Sequence, residues 1–183
     1  MTARLMAKKT SALAKPYPGP ADPPIRVGWR EWVAFPDLRL PAIKAKMDSG
    51  ARTSALHTFK LHTYETAGHL KIKFWLHPLQ CRTDITRVCT ADVVDSRTVS
   101  DSGGHREQRF VIRSSVRFMD RAWPIEITLT NREDMLFRLL LGRTAMAAGG
   151  LIVDPGKSFI GGRALRRVYF RSSPGLPAAE PPP

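Results

Sequence analysis

The sequence has few cysteines, and their spacing excludes one class of site. Its 183 residues include only Cys81 and Cys89, which are separated by seven residues. A structural zinc site normally uses paired Cys-x-x-Cys or Cys/His clusters, and neither is present. We therefore interpret both cysteines as buried free thiols rather than as a disulfide.

Long apolar runs are also missing. No segment approaches the roughly 20 apolar residues of a membrane-spanning helix, and the opening residues lack the continuous apolar region of a secretory signal. We expect a cytoplasmic protein that does not associate with a membrane.

Two cofactor motifs are absent as well. There is no His-Glu-x-x-His sequence, and His57 and His62 would lie on opposite faces of a strand. The Gly-x-x-x-x-Gly-Lys-Ser/Thr loop that cradles phosphates is missing too. The sequence therefore predicts no metal ion and no cofactor.

Acidic residues are scarce relative to basic ones, at 16 Asp and Glu against 29 Lys and Arg, for a net charge of +13. The excess is dispersed: residues 1–26 carry +4, residues 157–183 carry +4, and the middle keeps 13 − 8 = +5. A nucleic-acid accessory protein that uses the basic residues from Lys157 to Arg171 is one alternative. A solvated basic face is the favoured interpretation, because no nucleic-acid-binding motif accompanies the charge.

Proline marks the two ends of the chain. Residues 1–25 and 172–183 are rich in proline and small residues, which predicts disordered tails. The remaining residues, 26–171, can build one sizeable core and are expected to form a single domain.

That central region predicts a mostly β fold with one late helix. Alternation of apolar and polar residues, as in residues 70–76, is typical of strands with one buried face. Many short strands and one short helix favour a closed or partly closed β barrel. The predicted strands are residues 27–34, 42–47, 54–64, 70–76, 88–94, 109–118 and 123–130.

The strongest functional signal is residues 46–54, KMDSGARTS, which end an alternating, strand-like run. Asp48 lies where the strand ends, and Gly50 permits a sharp turn. Ser49 and Thr53 add hydroxyls that would hydrogen-bond a carboxylate or the backbone. Such a turn presents a catalytic carboxylate, although an ordinary Asx turn between strands gives the same pattern.

A second segment, LLLGR at residues 139–143, is an apolar run that ends in Gly142 and leads into a predicted helix over residues 144–150. An Asp-Ser-Gly-Ala turn followed by this segment resembles retropepsin-type aspartic proteases. The chain is similar in particular to a bacterial and archaeal family historically labelled ATP-dependent zinc proteases. The similarity spans about residues 27–170 and is carried by residues 28–33, 46–57 and 140–143.

The resemblance implies a retropepsin-like closed β barrel with one short helix and aspartic-type endopeptidase activity. In it, Asp48 matches the catalytic acid, and Ser49, Gly50, Ala51 and Thr53 form its supporting turn. The matching paired segment behind the turn is Leu140, Leu141 and Gly142. Lys46, Arg52 and Arg143 are candidate charge partners, while Glu31, Arg109 and His57 are weaker candidates.

Aspartic proteolysis needs two carboxylates that share a proton, and this chain supplies one such turn. Asp101 lacks a preceding apolar strand, and Asp154 is followed by proline. We therefore expect a homodimer in which two copies of Asp48 meet on a twofold axis. A peptide-binding or assembly module of the same fold without catalytic activity is the main alternative.

Two further expectations concern substrate and partner. The polar, glycine-bearing residues 95–108 predict an exposed, mobile loop, and Ser102, Gly103 and Gly104 at its tip would form a flap over a peptide or protein substrate. The family resemblance also implies a functional link to an ATP-grasp peptide ligase.

Overall fold

The structure, a computed structural model, describes residues 23–100, 104, 106–131 and 136–170. Of the predicted tails, residues 1–22 of the first and all of the second, residues 172–183, lie outside this range, whereas Ile25 at the end of the first belongs to a strand. Among the described helices, none combines the length and apolar character needed to cross a bilayer. The described elements are β1 (Ile25–Gly28), β2 (Arg30–Phe35), β3 (Leu40–Asp48), β4 (Ser54–His57), β5 (Lys60–Thr66), β6 (His69–Leu76), β7 (Arg87–Ser100), β8 (Arg106–Phe118), β9 (Arg121–Thr130), β10 (Leu139–Gly142), α1 (Arg143–Ala148) and β11 (Leu151–Asp154), with 3-10 helices at Pro36–Leu38 and Ala164–Tyr169.

The mostly β prediction is confirmed, and the period-two patterning explains why. In β6, Ile72, Phe74 and Leu76 are fully buried on one face. In β3, Ala45 and Met47 enter the same core. Both strands thus contribute alternate side chains to the core.

Nine strands pair in the order β2-β3-β10-β4-β9-β8-β7-β6-β5, and β1 pairs with β11 in a separate two-stranded parallel sheet. One additional pairing, between Ala34 of β2 and Arg117 of β8, links the first strand of the large sheet back to its sixth. Closure of a barrel rests on this one pairing and stays a prediction.

Two predicted strands are each divided in the structure because the backbone changes partner. Residues 27–34 split at Trp29, whose N–H donates to the Lys157 carbonyl at 3.0 Å. Residues 54–64 split at Thr58 and Phe59: the Thr58 N–H donates to Thr130 of β9, and the Phe59 N–H donates to Trp75 of β6.

The prediction of a mobile loop over residues 95–108 is wrong for most of its length. Strand β7 continues to Ser100 and β8 begins at Arg106. Polar side chains stabilise the pairing: Thr98 Oγ1 donates to Gln108 Oε1 at 2.9 Å, and Gln108 Nε2 donates to Ser96 Oγ at 2.7 Å. Sequence polarity here reflects two exposed strand faces rather than a loop.

The cysteine prediction holds for one residue only. Both thiols are free, and Cys89 is buried, which raises its pKa to about 12. Cys81 is exposed, contrary to the prediction. It lies outside the strands at a positive φ of 56°, in the turn region between β6 and β7.

Candidate functional site

Asp48 ends β3 in a tight turn, with its side chain half-buried. The backbone N–H groups of Gly50 and Ala51 donate to Asp48 Oδ1 at 3.1 and 3.3 Å. None of the described residues donates to Oδ2. Because Ser49 and Gly50 are exposed, the turn presents the carboxylate at the protein surface.

The chain after β10 holds this turn from behind through several hydrogen bonds. The Arg143 N–H donates to the Ala51 carbonyl at 2.9 Å, and the Thr144 N–H donates to the Arg52 carbonyl at 3.2 Å. Thr144 Oγ1 donates to the same Arg52 oxygen at 2.8 Å, and Arg143 Nη1 donates to the Ser49 carbonyl at 3.3 Å. We call this set of contacts the clasp.

Gly142 is the closest point between the two segments. It lies opposite Asp48 in the parallel pairing of β3 with β10. A Cβ at Gly142 would lie 2.7 Å from Thr53 C and 2.9 Å from Ser54 N, which are both backbone atoms. The Gly142 N–H donates to the buried Ser54 Oγ at 3.1 Å. Only glycine permits this approach without moving the turn.

The clasp is itself anchored in the core. Leu139 and Leu141 of β10 are buried, as are Ala145 and Met146 of α1. The indole N–H of Trp123 donates to the Ala145 carbonyl at 2.8 Å. The Asp48 turn is therefore held by β10 and α1, which are themselves fixed in the core.

The three charge candidates occupy different positions around the turn. Lys46 lies on the same strand face as Asp48 but is exposed and forms no salt bridge with the described residues. Arg52 is also exposed, and its carbonyl, rather than its guanidinium, binds the clasp. Arg143 braces the turn through the Ser49 carbonyl and does not reach the carboxylate.

Other candidates lie away from the turn. Glu31 is fully buried and accepts N–H bonds from Gly28, Ile160 and Gly161, which makes it a structural carboxylate. Arg109 pairs with Glu107 at 2.7 Å. His57 is a buried residue of β4, pointing to a structural role.

The proposed flap tip falls largely outside the described residues. Ser102 and Gly103 are not in the described range, nor is Asp101, whereas Gly104 is and has a positive φ of 79°. In the described ranges, no group of three or more His, Cys, Asp or Glu side chains is arranged to hold a metal ion.

Two contributors to the site were missed from the sequence, namely Ser54 and Thr144. Both carry hydroxyls that bridge the two motifs, through the Gly142 N–H and the Arg52 carbonyl. A signal was present, because Ser54 is the hydroxyl residue that opens β4 and Thr144 follows the Gly-Arg pair. Recognising it required knowing that the motifs pack together.

Comparisons with known proteins agree with this geometry. The family model described as RimB-like, retropepsin-like aspartic endopeptidase RimB, matches residues 26–164. A crystal structure of a Legionella pneumophila protein of unknown function, DUF785, has a TM-score of 0.64 and 25% identity, covering 74% of this chain and 97% of that one.

Curated relatives extend the similarity to longer proteins. A probable alpha-L-glutamate ligase of Shewanella pealeana is 45% identical over 133 residues, which is 73% of this chain and 29% of that protein. One from Desulfotalea psychrophila is 43% identical over 129 residues, or 70% of this chain and 28% of the relative. The chain thus spans less than a third of the length of the curated relatives it matches.

Proposed function

Because this chain belongs to the RimB-like family of retropepsin-like aspartic endopeptidases, we propose that it hydrolyses peptide bonds as a homodimer with Asp48 of each subunit at the active site. The observation that carries the proposal is the clasped turn, which fixes the Asp48 carboxylate and leaves Oδ2 without a donor among the described residues. We expect the strands around it to close into the barrel typical of this family.

The chemistry requires both copies of Asp48. One carboxylate accepts a proton from a bound water, whose oxygen attacks the scissile carbonyl carbon. The second Asp48, protonated, donates its proton to the carbonyl oxygen. The resulting tetrahedral diol collapses when the C–N bond breaks. The leaving amine takes the proton from the first Asp48, and a diol hydroxyl returns a proton to the second, which releases a carboxylic acid and restores the starting protonation states.

A twofold contact supplies the second acid. Ser49 and Gly50 are exposed beside Asp48, so the turn can meet its own copy in an isologous interface. The β6–β7 ladder ends at Asp92, and beyond it β7 pairs with β8 alone. This two-stranded part of the β7–β8 hairpin would cover the substrate. Such a hairpin would exclude water from the reaction.

Subunit mixing tests this proposal. Asp48→Asn keeps the hydrogen-bonding shape of the side chain, so the variant should fold and dimerise but not cleave a peptide. When native protein is mixed and re-equilibrated with excess variant, each mixed dimer has one acid, and activity should fall with the fraction of native homodimers. Full cleavage by Asp48→Asn protein, or activity proportional to native subunits in the mixture, would contradict the mechanism.

We also propose a functional link to a glutamate ligase. The curated relatives are longer proteins, named probable alpha-L-glutamate ligase, and part of each is similar to this chain. The ligase and peptidase activities would therefore act on one substrate. Incubation of a purified ligase with its product in the presence of this protein provides the test. An unchanged product and no complex between the two proteins would argue against the link.

A further inference from the structure

The β5–β6 hairpin has one side that carries aromatic rings and lysines. Ile72, Phe74 and Leu76 of β6 are fully buried on the core side. The alternate residues of β6 therefore lie on the opposite side, together with the residues of β5 that pair with them. This side, which we call the hairpin face, is formed by Lys60, His62, Tyr64, Lys71, Lys73 and Trp75.

Three rings form a row across the hairpin face. The His62 and Tyr64 rings stack, with centroids 6.4 Å apart and planes inclined by 12°. Trp75 is the diagonal neighbour of His62, because His62 pairs directly with Lys73. Such diagonal neighbours lie about 7–8 Å apart. His62 is exposed and the other two rings are half-buried, so all three offer ring surface to a ligand.

Two lysines flank the Trp75 ring. Lys60 lies directly opposite Trp75 in the register, with its Nζ 4.9 Å from the ring centroid. Lys73 lies two residues before Trp75 on the same strand, with its Nζ at 5.3 Å. Both lysines are exposed. Cation–π attraction keeps their charges beside the ring, where a ligand stacked on Trp75 would meet both.

Carboxylates neutralise one of the three lysines on the hairpin face. Lys71 Nζ donates to Asp92 Oδ1 of β7 at 2.5 Å. Lys60 and Lys73 form no salt bridge with a described residue. Glu65 alternates with the members of this face along β5 and so lies on the other side of the sheet. Two uncompensated cations therefore remain next to the row of rings.

Rings and free cations together favour one kind of ligand. In a single-stranded nucleic acid, phosphates pair with lysines, and unpaired bases stack on aromatic side chains whatever their sequence. Exposed sheets with aromatic residues stack two or three bases in this way in RNA-binding domains. A duplex keeps its bases stacked inside and would use the lysines alone.

We propose that the hairpin face binds single-stranded nucleic acid, with bases stacked on Trp75, Tyr64 and His62 and with phosphates paired to Lys60 and Lys73. This activity goes beyond the proposed peptidase function and does not depend on it. In the order of strands, β5 and β6 lie at the opposite end of the sheet from β3, which carries Asp48.

Oligonucleotide binding to the native full-length protein tests the proposal. Labelled oligouridine and oligothymidine of about 12 nucleotides are titrated by fluorescence anisotropy, beside an abasic strand that keeps the phosphates but has no bases. Either strand with bases should bind about tenfold tighter or more than the abasic strand, because stacking adds to the phosphate contacts. Tighter binding of the RNA than of the DNA would support the proposal and identify the 2′-hydroxyl as a further contact.

Variants locate the binding on the hairpin face. Trp75→Leu should weaken oligonucleotide binding about tenfold or more. Lys60→Gln combined with Lys73→Gln should lower the slope of log affinity against log salt by about 1.4, which is about 0.7 for each lost phosphate contact. Phe170→Leu is the matched control, because the Phe170 ring is also exposed and lies 5.7 Å from a cation, Arg82, outside the strands. It should leave binding unchanged.

Several outcomes would overturn the proposal. These are equal affinity for strands with and without bases, and equal effects of Trp75→Leu and Phe170→Leu. Binding lost in Arg166→Gln but kept in Trp75→Leu would assign it to the basic residues near the end of the chain. Tighter binding of an acidic peptide than of either strand, abolished in Trp75→Leu, would assign the face to a protein. If Trp75→Leu does not fold, the variant of the two exposed lysines decides, and an unchanged salt slope would overturn the proposal.

Discussion

Asp48 and Asp154 occupy matching positions in two parts of this molecule. Each ends a strand in a parallel pair, and each lies opposite a glycine: Asp48 opposite Gly142, and Asp154 opposite Gly28. At both glycines, an added Cβ would collide with backbone atoms of another segment. The local geometry of strand, acid and glycine is therefore shared.

The surroundings of the two acids differ. Asp154 Oδ1 accepts the Gly156 N–H at 3.0 Å, much as Asp48 Oδ1 accepts that of Gly50. The other Asp154 oxygen, Oδ2, lies 3.8 Å from Arg26 Nη1. Pro155 follows it and has no N–H to donate. Asp48 has no salt bridge with the described residues, and its turn is fixed by the clasp.

The comparison shows that an acid at a strand end does not by itself set Asp48 apart as the proposed catalytic residue. A second segment holds both turns, because the Trp29 N–H donates to the Lys157 carbonyl beyond Asp154. The distinguishing feature at Asp48 is a carboxylate oxygen that has no partner among the described residues, whereas Asp154 is ion-paired with Arg26. The segment that holds the Asp48 turn, β10 and α1, is roughly ninety residues away in the sequence.

Removing each acid gives the largest expected contrast. Asp48→Asn should lower the rate of peptide cleavage by at least about 10³-fold, since each active site would lose its proton acceptor. Asp154→Asn should leave the rate within about twofold, because that carboxylate is ion-paired and outside the proposed site. A fluorogenic peptide assay on folded, dimeric samples measures both, and similar losses in the two variants would remove the distinction.

The two opposed glycines should behave alike. Gly142→Ala would place a Cβ 2.7 Å from a backbone atom, and Gly28→Ala would place one at 2.5 Å. Each variant should therefore lower the free energy of unfolding by about 3 kcal/mol. Urea denaturation measures the loss. Gly156→Ala is the control, because its Cβ would meet only a side-chain oxygen at 3.4 Å. Tolerance of alanine at Gly142 would mean that the close approach is not required.

Two serines compare the hydrogen bond behind the Asp48 turn with one beside the Asp154 turn. Ser54→Ala leaves the buried Gly142 N–H without its acceptor, which should cost about 1–2 kcal/mol of unfolding free energy and also slow cleavage. Ser158→Ala removes the part-buried acceptor of Arg30 Nε and should cost about 0.5 kcal/mol. Equal costs, measured by chemical denaturation, would show that the Gly142–Ser54 hydrogen bond adds no special stability.

The ion pair at Asp154 should matter least. The Arg26 side chain is 73% exposed, and its nitrogen is 3.8 Å from the carboxylate. Arg26→Gln should therefore change the unfolding free energy by less than about 0.5 kcal/mol and leave cleavage unchanged. A loss of cleavage in this variant would mean that the Asp154 region takes part in the reaction.

Much of the fold was predictable because its signals are local. Alternation in β3 and β6, the turn at Gly50 and the helix after Gly142 each depend on neighbouring residues. Strand ends were less predictable where the backbone switches partner, as at Trp29 and Phe59. The extension of β7 was missed because polar side chains pair across two exposed strands.

The site was predicted only in part for a similar reason. Asp48 and Gly142 carry recognisable motifs, whereas the roles of Ser54 and Thr144 depend on contacts between segments far apart in sequence. The neighbours of Lys46 across the sheet depend on the strand register as well, since only that pairing places Arg30 beside Lys46.

The separation of the two Asp48 carboxylates in a crystal structure of the assembled protein tests the central claim most directly. The proposed mechanism predicts a twofold dimer in which the nearest carboxylate oxygens lie about 3 Å apart. A monomer at assay concentrations, or a dimer with these oxygens more than about 6 Å apart, would contradict it.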